Sequence, residues 1–297
     1  MKHILAALAA QIFLCPLEAQ YFVYYEPRVT VEIGAGPGAM NSLTDLGGRG
    51  GTGKKFIGDL ELKNFMAAFE SHLLLDWKQA LAARLQFTIG SVQAADSNLR
   101  AVQSSTFGRY ERNLSFRSPV LELHLVFELH PFSIFNKEQT PTCSPYFAAG
   151  VGCFWFDPQA RLAGQWYRLH PLRTEGQGFS EYPHRSHYSL RQWNFPVGLG
   201  LRLRRSGRFS FHIEVKHRFL LTDYLDDVST EYISPAAFAN YLPPRQAWIA
   251  ARLSDRRAER NPLHLTQPGD QRGNSAQNDS FFTIELKLGI SLPPAGR

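Results

Sequence analysis

The stretch closest to a known chemical motif is 48–55, which reads GRGGTGKK. Gly48 and Gly53 have the spacing of a phosphate-binding loop, and Lys54 follows them. The next position is Lys55, where such a loop needs a Ser or Thr to hold magnesium. The flanking sequence predicts no parallel strand and helix to carry the loop. We therefore interpret 48–55 as a glycine-rich loop that binds no nucleotide.

Two other groups of side chains have the chemistry of metal ligands. The first is acidic and consists of Asp223, Asp226, Asp227 and Glu231. It lacks the alternate-residue spacing and the turn glycine of a calcium loop, so salt bridges within a loop are the favoured interpretation and calcium is the alternative. The second is His184 and His187, which have no third ligand at a recognisable spacing. Ser, His and acidic residues form no spaced catalytic set, so we expect no enzyme, no cofactor and no metal.

Composition and charge exclude several classes of protein. The chain has 297 residues, of which 44% are hydrophobic, 13% aromatic and 20% charged, and these values exclude a disordered or coiled-coil chain. The net charge is +6, but the Lys and Arg residues are scattered instead of grouped on one element. A nucleic-acid partner is therefore not expected.

The N-terminus has the pattern of an export signal. Lys2 and His3 precede an apolar run from Ile4 to Leu14, and Ala19 offers a small residue at a cleavage point before Gln20. The sequence thus predicts a signal peptide at 1–19 and a mature domain at 20–297.

Most of the mature chain alternates between apolar and polar residues. Alternation of this kind gives a strand one apolar and one polar face. It is clearest in 81–90, 121–130, 194–204, 209–216 and 282–291, and weaker in 29–40, 64–76 and 145–156. The sequence therefore predicts about eight strands.

The connections between these strands differ in length. Tight turns are predicted at 77–80 and 205–208, an intermediate connection at 131–144, and long loops at 41–63, 91–113, 157–188 and 222–280. Short turns on one rim and long loops on the other are typical of outer-membrane barrels. We predict an all-β fold, a transmembrane antiparallel β-barrel of about eight strands with four long outer loops. Within the last loop, Ser234 and Pro235 predict a helix over 236–242, and 245–257 a second.

The polar faces of the strands carry charges of both signs together with glycines. The residues concerned are Arg84, Glu122, Glu128, Arg202, Glu214, Lys216, Glu285 and Lys287. We expect them to form a charge network in the lumen, with the glutamates at 122, 128 and 214 paired with the cations at 84, 202 and 216. Eight strands leave room only for side chains, which predicts a plugged lumen. The alternative is a soluble barrel, whose apolar faces would point inward.

Several strings of residues resemble a family of outer-membrane barrels from Bacteroidota that includes PorG, a component of the type IX secretion system. They are EIGAGPGAMN at 32–41, RNLSFRS at 112–118, SPYFAAGVGCFWFDPQA at 144–160, GQWYRLHPLRTEGQG at 164–178, TDYLDDVSTEY at 222–232, LSDRRAE at 253–259 and PGDQRGN at 268–274. Two features depart from the family pattern: the chain reads NSLTDLGG at 41–48 and does not end in an aromatic residue.

The resemblance implies a barrel in the outer-membrane bilayer that anchors or caps a periplasmic ring. That ring is built from a PorK-like lipoprotein and a PorN-like protein. The intermediate turn has room to contact such a ring, with Phe132, Phe135 and Lys137 as candidate contact residues. A stand-alone structural or adhesive barrel is the alternative function.

Overall fold

The computed structural model describes residues 29–47, 61–99, 106–135, 142–205, 208–263 and 266–292. The predicted signal peptide, the glycine-rich stretch 48–55 and Lys137 lie outside these ranges. The strands are β1 (Val29–Leu43), β2 (Met66–Trp77), β3 (Leu81–Ala95), β4 (Ser115–Leu129), β5 (Cys143–Phe156), β6 (Gln159–Leu162), β7 (Gln165–Arg168), β8 (Arg191–Arg205), β9 (Phe209–Leu220) and β10 (Ser280–Ser291).

Eight of these strands close into an antiparallel barrel. Hydrogen bonding runs in the order β3–β2–β1–β10–β9–β8–β5–β4, and a further pairing of β3 with β4 closes the ring. The short strands β6 and β7 form a hairpin beyond the outer end of β5. Gln159 of β6 pairs with Arg117 of β4, so the hairpin extends the sheet. The predicted eight-stranded antiparallel barrel is confirmed.

The direction in which the apolar side chains point distinguishes a membrane barrel from a soluble one. Leu125, Phe127 and Phe211 point outward and are 42%, 58% and 49% exposed, while Arg84 and Glu214 point inward and are fully buried. A soluble barrel would have the opposite arrangement, with its apolar face inside. The exposed apolar surface is instead the belt that faces lipid in a membrane barrel.

Glycines on the inner face make room for large lumen side chains. A Cβ added at Gly200 would lie 2.1 Å from the Tyr146 ring, and one at Gly152 would lie 1.9 Å from the His124 ring. Since heavy atoms in contact are about 3.5–4.0 Å apart, only glycine leaves space for these rings.

Within the described residues, four short helices lie outside the barrel wall. They are α1 (Phe107–Arg112), α2 (Pro131–Phe135), α3 (Phe238–Tyr241) and α4 (Pro244–Ser254). A 3-10 turn at Pro235–Ala237 leads into α3, so the first helix predicted in the last loop forms as two pieces, and the second ends at Ser254. No helix in the described part of the chain is long and apolar enough to cross a bilayer.

Candidate functional site

All eight side chains of the predicted charge network lie inside the barrel, and none is more than 2% exposed. Arg84 lies between two carboxylates, 2.6 Å from Glu128 and 2.7 Å from Glu214. Arg202 lies 2.9 Å from Glu128, and the Tyr146 hydroxyl donates to Glu214 at 2.6 Å. A buried ion needs close partners to offset its lost hydration, and this group supplies them across the lumen.

A second group centres on Glu285. Lys287, Lys216 and Arg218 reach its carboxylate at 3.0, 3.1 and 3.3 Å. Glu122 was expected to pair with the cations at 84, 202 or 216, but its ionic partner is Arg218 at 3.1 Å. Alternation along one strand places a side chain in the lumen, but it does not determine which inward charge of another strand lies beside it.

A third polar group fills the lumen toward the short-turn end, and sequence reasoning missed it. Glu32 accepts a hydrogen bond from Ser210 at 2.7 Å and lies 3.0 Å from His212 and 3.4 Å from His72. These residues belong to β1, β2 and β9, so one carboxylate joins three strands. Glu32 stands among glycines in β1, where the alternation is weak, so the sequence gave no signal of its inward position or of its partners.

The outer end of the lumen is apolar. Side chains from the upper barrel and the loops pack there, namely Met40, Leu46, Val92, Ala94, Leu114, Phe116, Val120, Phe154, Phe156, Leu220, Leu225, Val228 and Phe281. The interior described by the structure is thus filled by buried ion pairs below and an apolar layer above. A filled interior is the plugged lumen expected for eight strands.

Two long loops fold together above this layer. We call residues 157–190 and 221–263 with 266–279 the outer cap. The cap has its own apolar core, formed by Ala160, Leu169, Leu172, Phe179, Ile233, Ala237, Phe238, Ala247, Ile249, Ala250 and Leu253. Phe179 stacks on Tyr241 with ring centroids 4.0 Å apart, which joins the first loop to the second.

Buried polar contacts join the outer loops to one another. Glu175 accepts hydrogen bonds from the backbone N–H groups of Ser229 and Thr230, and Arg272 lies 2.7 Å from the same carboxylate. Arg112, at the end of α1, pairs with Asp96 at 2.8 Å and donates to the Arg272 and Asp45 carbonyl oxygens at 2.6 Å. The β1–β2 and β3–β4 loops are therefore connected to the cap.

Carboxyl groups are concentrated in one part of the cap, close to Asp45 of the β1–β2 loop. Burial raises the pKa of Asp226, and the neighbouring Asp45 carboxylate adds to the effect. Burial also raises the pKa values of Asp223 and Asp279, and in both cases the Asp226 carboxylate is the next cause. Since like charges held together in a low-dielectric site disfavour ionisation, this cluster retains protons well above pH 4.

The acidic group of the sequence analysis divides in the structure. Asp223 and Asp226 belong to the carboxyl cluster of the cap, while Asp227 accepts hydrogen bonds from Thr174 and Tyr188. Glu231 pairs with Arg185 at 3.2 Å. Within the described ranges, no three His, Cys, Asp or Glu side chains are placed to hold a metal ion.

The predicted partner-contact turn lies at the opposite end of the barrel. Helix α2 follows β4 directly, with Phe132 56% and Ile134 39% exposed. Phe135 is the last residue of α2, and Lys137 lies beyond the described residues.

The closed ring, the outward apolar belt and the filled polar interior together define an integral outer-membrane β-barrel. A family model described as a domain of unknown function (DUF6089) matches residues 40–170. No curated protein sequence matches the chain significantly.

Solved barrels give structural matches of low sequence identity. Neisserial surface protein A is 6% identical with a TM-score of 0.34, covering 90% of this chain and 98% of that one. The outer membrane protein OprG from Pseudomonas aeruginosa is 11% identical with a TM-score of 0.36, covering 89% and 95%. The barrel assignment stands on the strand pairing of the chain itself.

Proposed function

We propose that this barrel is a component of the type IX protein secretion machinery that anchors or caps its periplasmic ring. The ring partners are a PorK-like lipoprotein and a PorN-like protein, and the resemblance to the PorG-containing family of Bacteroidota supports this assignment. The observation that carries the proposal is the filled lumen, in which Arg84 and Glu214 lie fully buried. A barrel without a pathway through it acts through its surfaces, and the proposal includes no catalysis and no cofactor.

The periplasmic end offers an apolar surface to a ring protein. Short turns mark the periplasmic rim in barrels of this type. On that rim Phe132 and Ile134 of α2, which follows the end of β4, expose apolar side chains. Aromatic residues are enriched at protein interfaces, which supports α2 as the contact with the ring.

The outer cap favours the second candidate function, a stand-alone structural or adhesive barrel. The cap has its own apolar core, and Trp248 on α4 is 57% exposed at its surface. A folded surface of this kind can hold an external ligand without any ring below.

Deletion of the gene, followed by assay of exported cargo in the medium, tests the proposal. Secretion should fall in the deletion strain and return with the full chain, and ring proteins should co-purify with the tagged barrel. The substitution Phe132→Asp should reduce both readouts, whereas the control Trp248→Asp should leave them unchanged. Normal secretion in the deletion strain, with no ring protein recovered, would favour the stand-alone barrel.

A further inference from the structure

One side of the outer rim carries arginines and tryptophans that point away from the barrel. On the outer surface of β4, β5 and β8, Leu121 pairs with Trp155, and Trp155 pairs with Arg191. Farther from the membrane, Arg117 pairs with Gln159, and Gln159 pairs with Arg168.

The hairpin adds the uppermost row of this surface, where Arg161 of β6 pairs with Trp166 of β7. Trp155, Trp166 and Trp193 are 37%, 48% and 56% exposed. We name the whole surface the arginine–tryptophan patch, and it consists of Arg117, Arg161, Arg168, Arg191, Trp155, Trp166 and Trp193.

The patch carries more positive charge than its own acidic residue can balance. Arg168 pairs with Asp157 at 2.6 Å, and the salt bridges of the described residues include no carboxylate partner for Arg117, Arg161 or Arg191. Arg161 donates to the Gly164 carbonyl oxygen at 3.2 Å.

Arg191 is held on aromatic and sulfur groups. Its guanidinium lies 5.3 Å from the Trp155 ring centroid, and its Nε donates to the Cys153 sulfur at 3.3 Å. The described strands β1, β2, β3, β9 and β10 place no Lys or Arg on the outer surface, because their cations at 84, 216, 218 and 287 are buried inside. Among the described strands, the outward-pointing Lys and Arg residues of the outer rim are therefore confined to β4, β6, β7 and β8.

The height of Arg117 places the upper part of the patch among lipid headgroups. From Leu129, at the periplasmic end of β4, to Arg117 the strand extends about 40 Å, which a tilt of roughly 40° reduces to about 30 Å of height. The apolar band of such barrels is about 25 Å tall, so Arg117 lies just above it. Tryptophan is typical of this interface, and arginine binds phosphate through several donors at once.

We propose that the arginine–tryptophan patch binds a phosphate-bearing lipid of the outer leaflet. The arginines contact the phosphate, and Trp155 and Trp193 contact the upper part of the acyl chains. Charge complementarity supports this occupant, because Arg117, which has no carboxylate partner among the described residues, stands at the level where lipid phosphates lie, with Arg161 on the hairpin beyond it and Arg191 below it. The inference requires only that the barrel spans the outer membrane and is independent of any role in secretion.

Quenching of tryptophan fluorescence by brominated lipids tests the proposal. The full chain carrying Trp77→Phe and Trp248→Phe, so that only the patch tryptophans report, is placed in phosphatidylcholine bilayers. Brominated phosphatidic acid or brominated phosphatidylcholine is then added at equal mole fraction. We expect phosphatidic acid to be preferred by roughly fivefold or more, since each arginine near an anionic lipid surface favours binding by that order.

The triple substitution Arg117→Gln, Arg161→Gln and Arg191→Gln should abolish the preference, while the control Arg245→Gln, on the exposed surface of α4, should retain it. Equal quenching by the two lipids, or a preference that survives the triple substitution, would overturn the proposal. Competition by inorganic phosphate at equal concentration would make the patch a phosphate-ion site and contradict the lipid assignment. If the triple variant fails to insert, added salt must weaken the preference of the parent protein, and a salt-insensitive preference counts against the proposal.

Discussion

The carboxylate of Glu175 lies 2.7 Å from the guanidinium of Arg272, and this buried pair joins the two loops of the outer cap. Glu175 also accepts hydrogen bonds from the backbone N–H groups of Ser229 and Thr230 at 2.9 and 3.0 Å. The Glu175 carboxylate thus pairs with the positive charge of Arg272 and also holds the backbone of the second loop in place. The cap is held by specific polar contacts as well as by its apolar core.

Replacing this carboxylate should loosen the cap. Glu175→Gln leaves Arg272 buried without its ionic partner, a change that costs about 3–5 kcal/mol in buried pairs. We expect limited proteolysis to cut the cap loops much faster in this variant while the barrel strands remain protected. The matched control is Glu231→Gln, since Glu231 pairs with Arg185 but its side chain is 54% exposed, and exposed pairs contribute about 0–1 kcal/mol. Equal cleavage in the two variants would contradict the role given to Glu175.

Stability of the cap should fall as pH rises. Burial raises the pKa of Asp227 to about 6 and moves the pKa values of Asp223, Asp226 and Asp279 in the same direction. A carboxyl with a raised folded-state pKa stabilises the fold fully below its ordinary value of about 4, and this contribution is lost as pH rises through the folded-state value. We therefore expect proteolytic protection of the cap to decline from about pH 4 through pH 6 and beyond.

The substitution Asp226→Asn tests the origin of this pH dependence. An amide cannot ionise, so the variant should resist proteolysis better than the wild-type chain at pH 8 and show a flatter pH profile. Asp270→Asn is the control, because the Asp270 side chain is 40% exposed and lies apart from the cluster. If the two variants and the wild-type chain follow one profile, the carboxyl cluster does not govern the cap.

The lumen network should dominate the stability of the barrel. Glu122 lies 3.1 Å from Arg218 and accepts a hydrogen bond from Asn194 at 2.8 Å, all within the buried interior. Glu122→Leu leaves Arg218 with less compensation and should lower the unfolding temperature, measured by the difference in gel migration between boiled and unboiled samples. Glu259→Leu in the outer cap should have little effect, because the Glu259 side chain is 39% exposed. Similar unfolding temperatures for the two variants would mean that the inward pairs are not important for stability.

The filled interior also predicts an absence of conductance. Buried ion pairs below and the apolar layer above leave no water-filled path in the described interior. Reconstituted protein in a planar bilayer should carry no steady ion current. A stable single-channel current from the wild-type chain would contradict the plugged barrel.

The strands could be predicted from the sequence wherever one face contacts lipid and the other faces the polar lumen. Prediction was weaker at the outer ends of the strands. β4 was predicted from 121 but begins at Ser115, because Phe116 and Val120 point into the apolar outer layer while Arg117 points out. At this end of the strand the apolar residues point inward and the polar residues point outward. A prediction that expects apolar residues on the outer face therefore places the start of the strand too late in the sequence.

The charge network could be predicted in its location but not in its pairing. Alternation placed Glu122 on the inner face, yet its partner Arg218 comes from a strand on another part of the ring. The cap was less predictable still, since Phe179 and Tyr241 are far apart in the chain and meet only after both loops fold. Contacts between distant residues leave no periodic pattern in the sequence. Within the cap, the sequence predicted only two short helices.

Site-specific photo-crosslinking from α2 tests the central claim most directly. A photoreactive residue at position 132 of the full chain, in living cells, should capture a PorN-like or PorK-like ring protein. The same residue at position 245 in the outer cap should capture neither. Recovery of ring protein from position 132 alone is the result predicted for a barrel that anchors the secretion ring. Failure to capture a ring protein from position 132, or equal capture from both positions, would contradict that account.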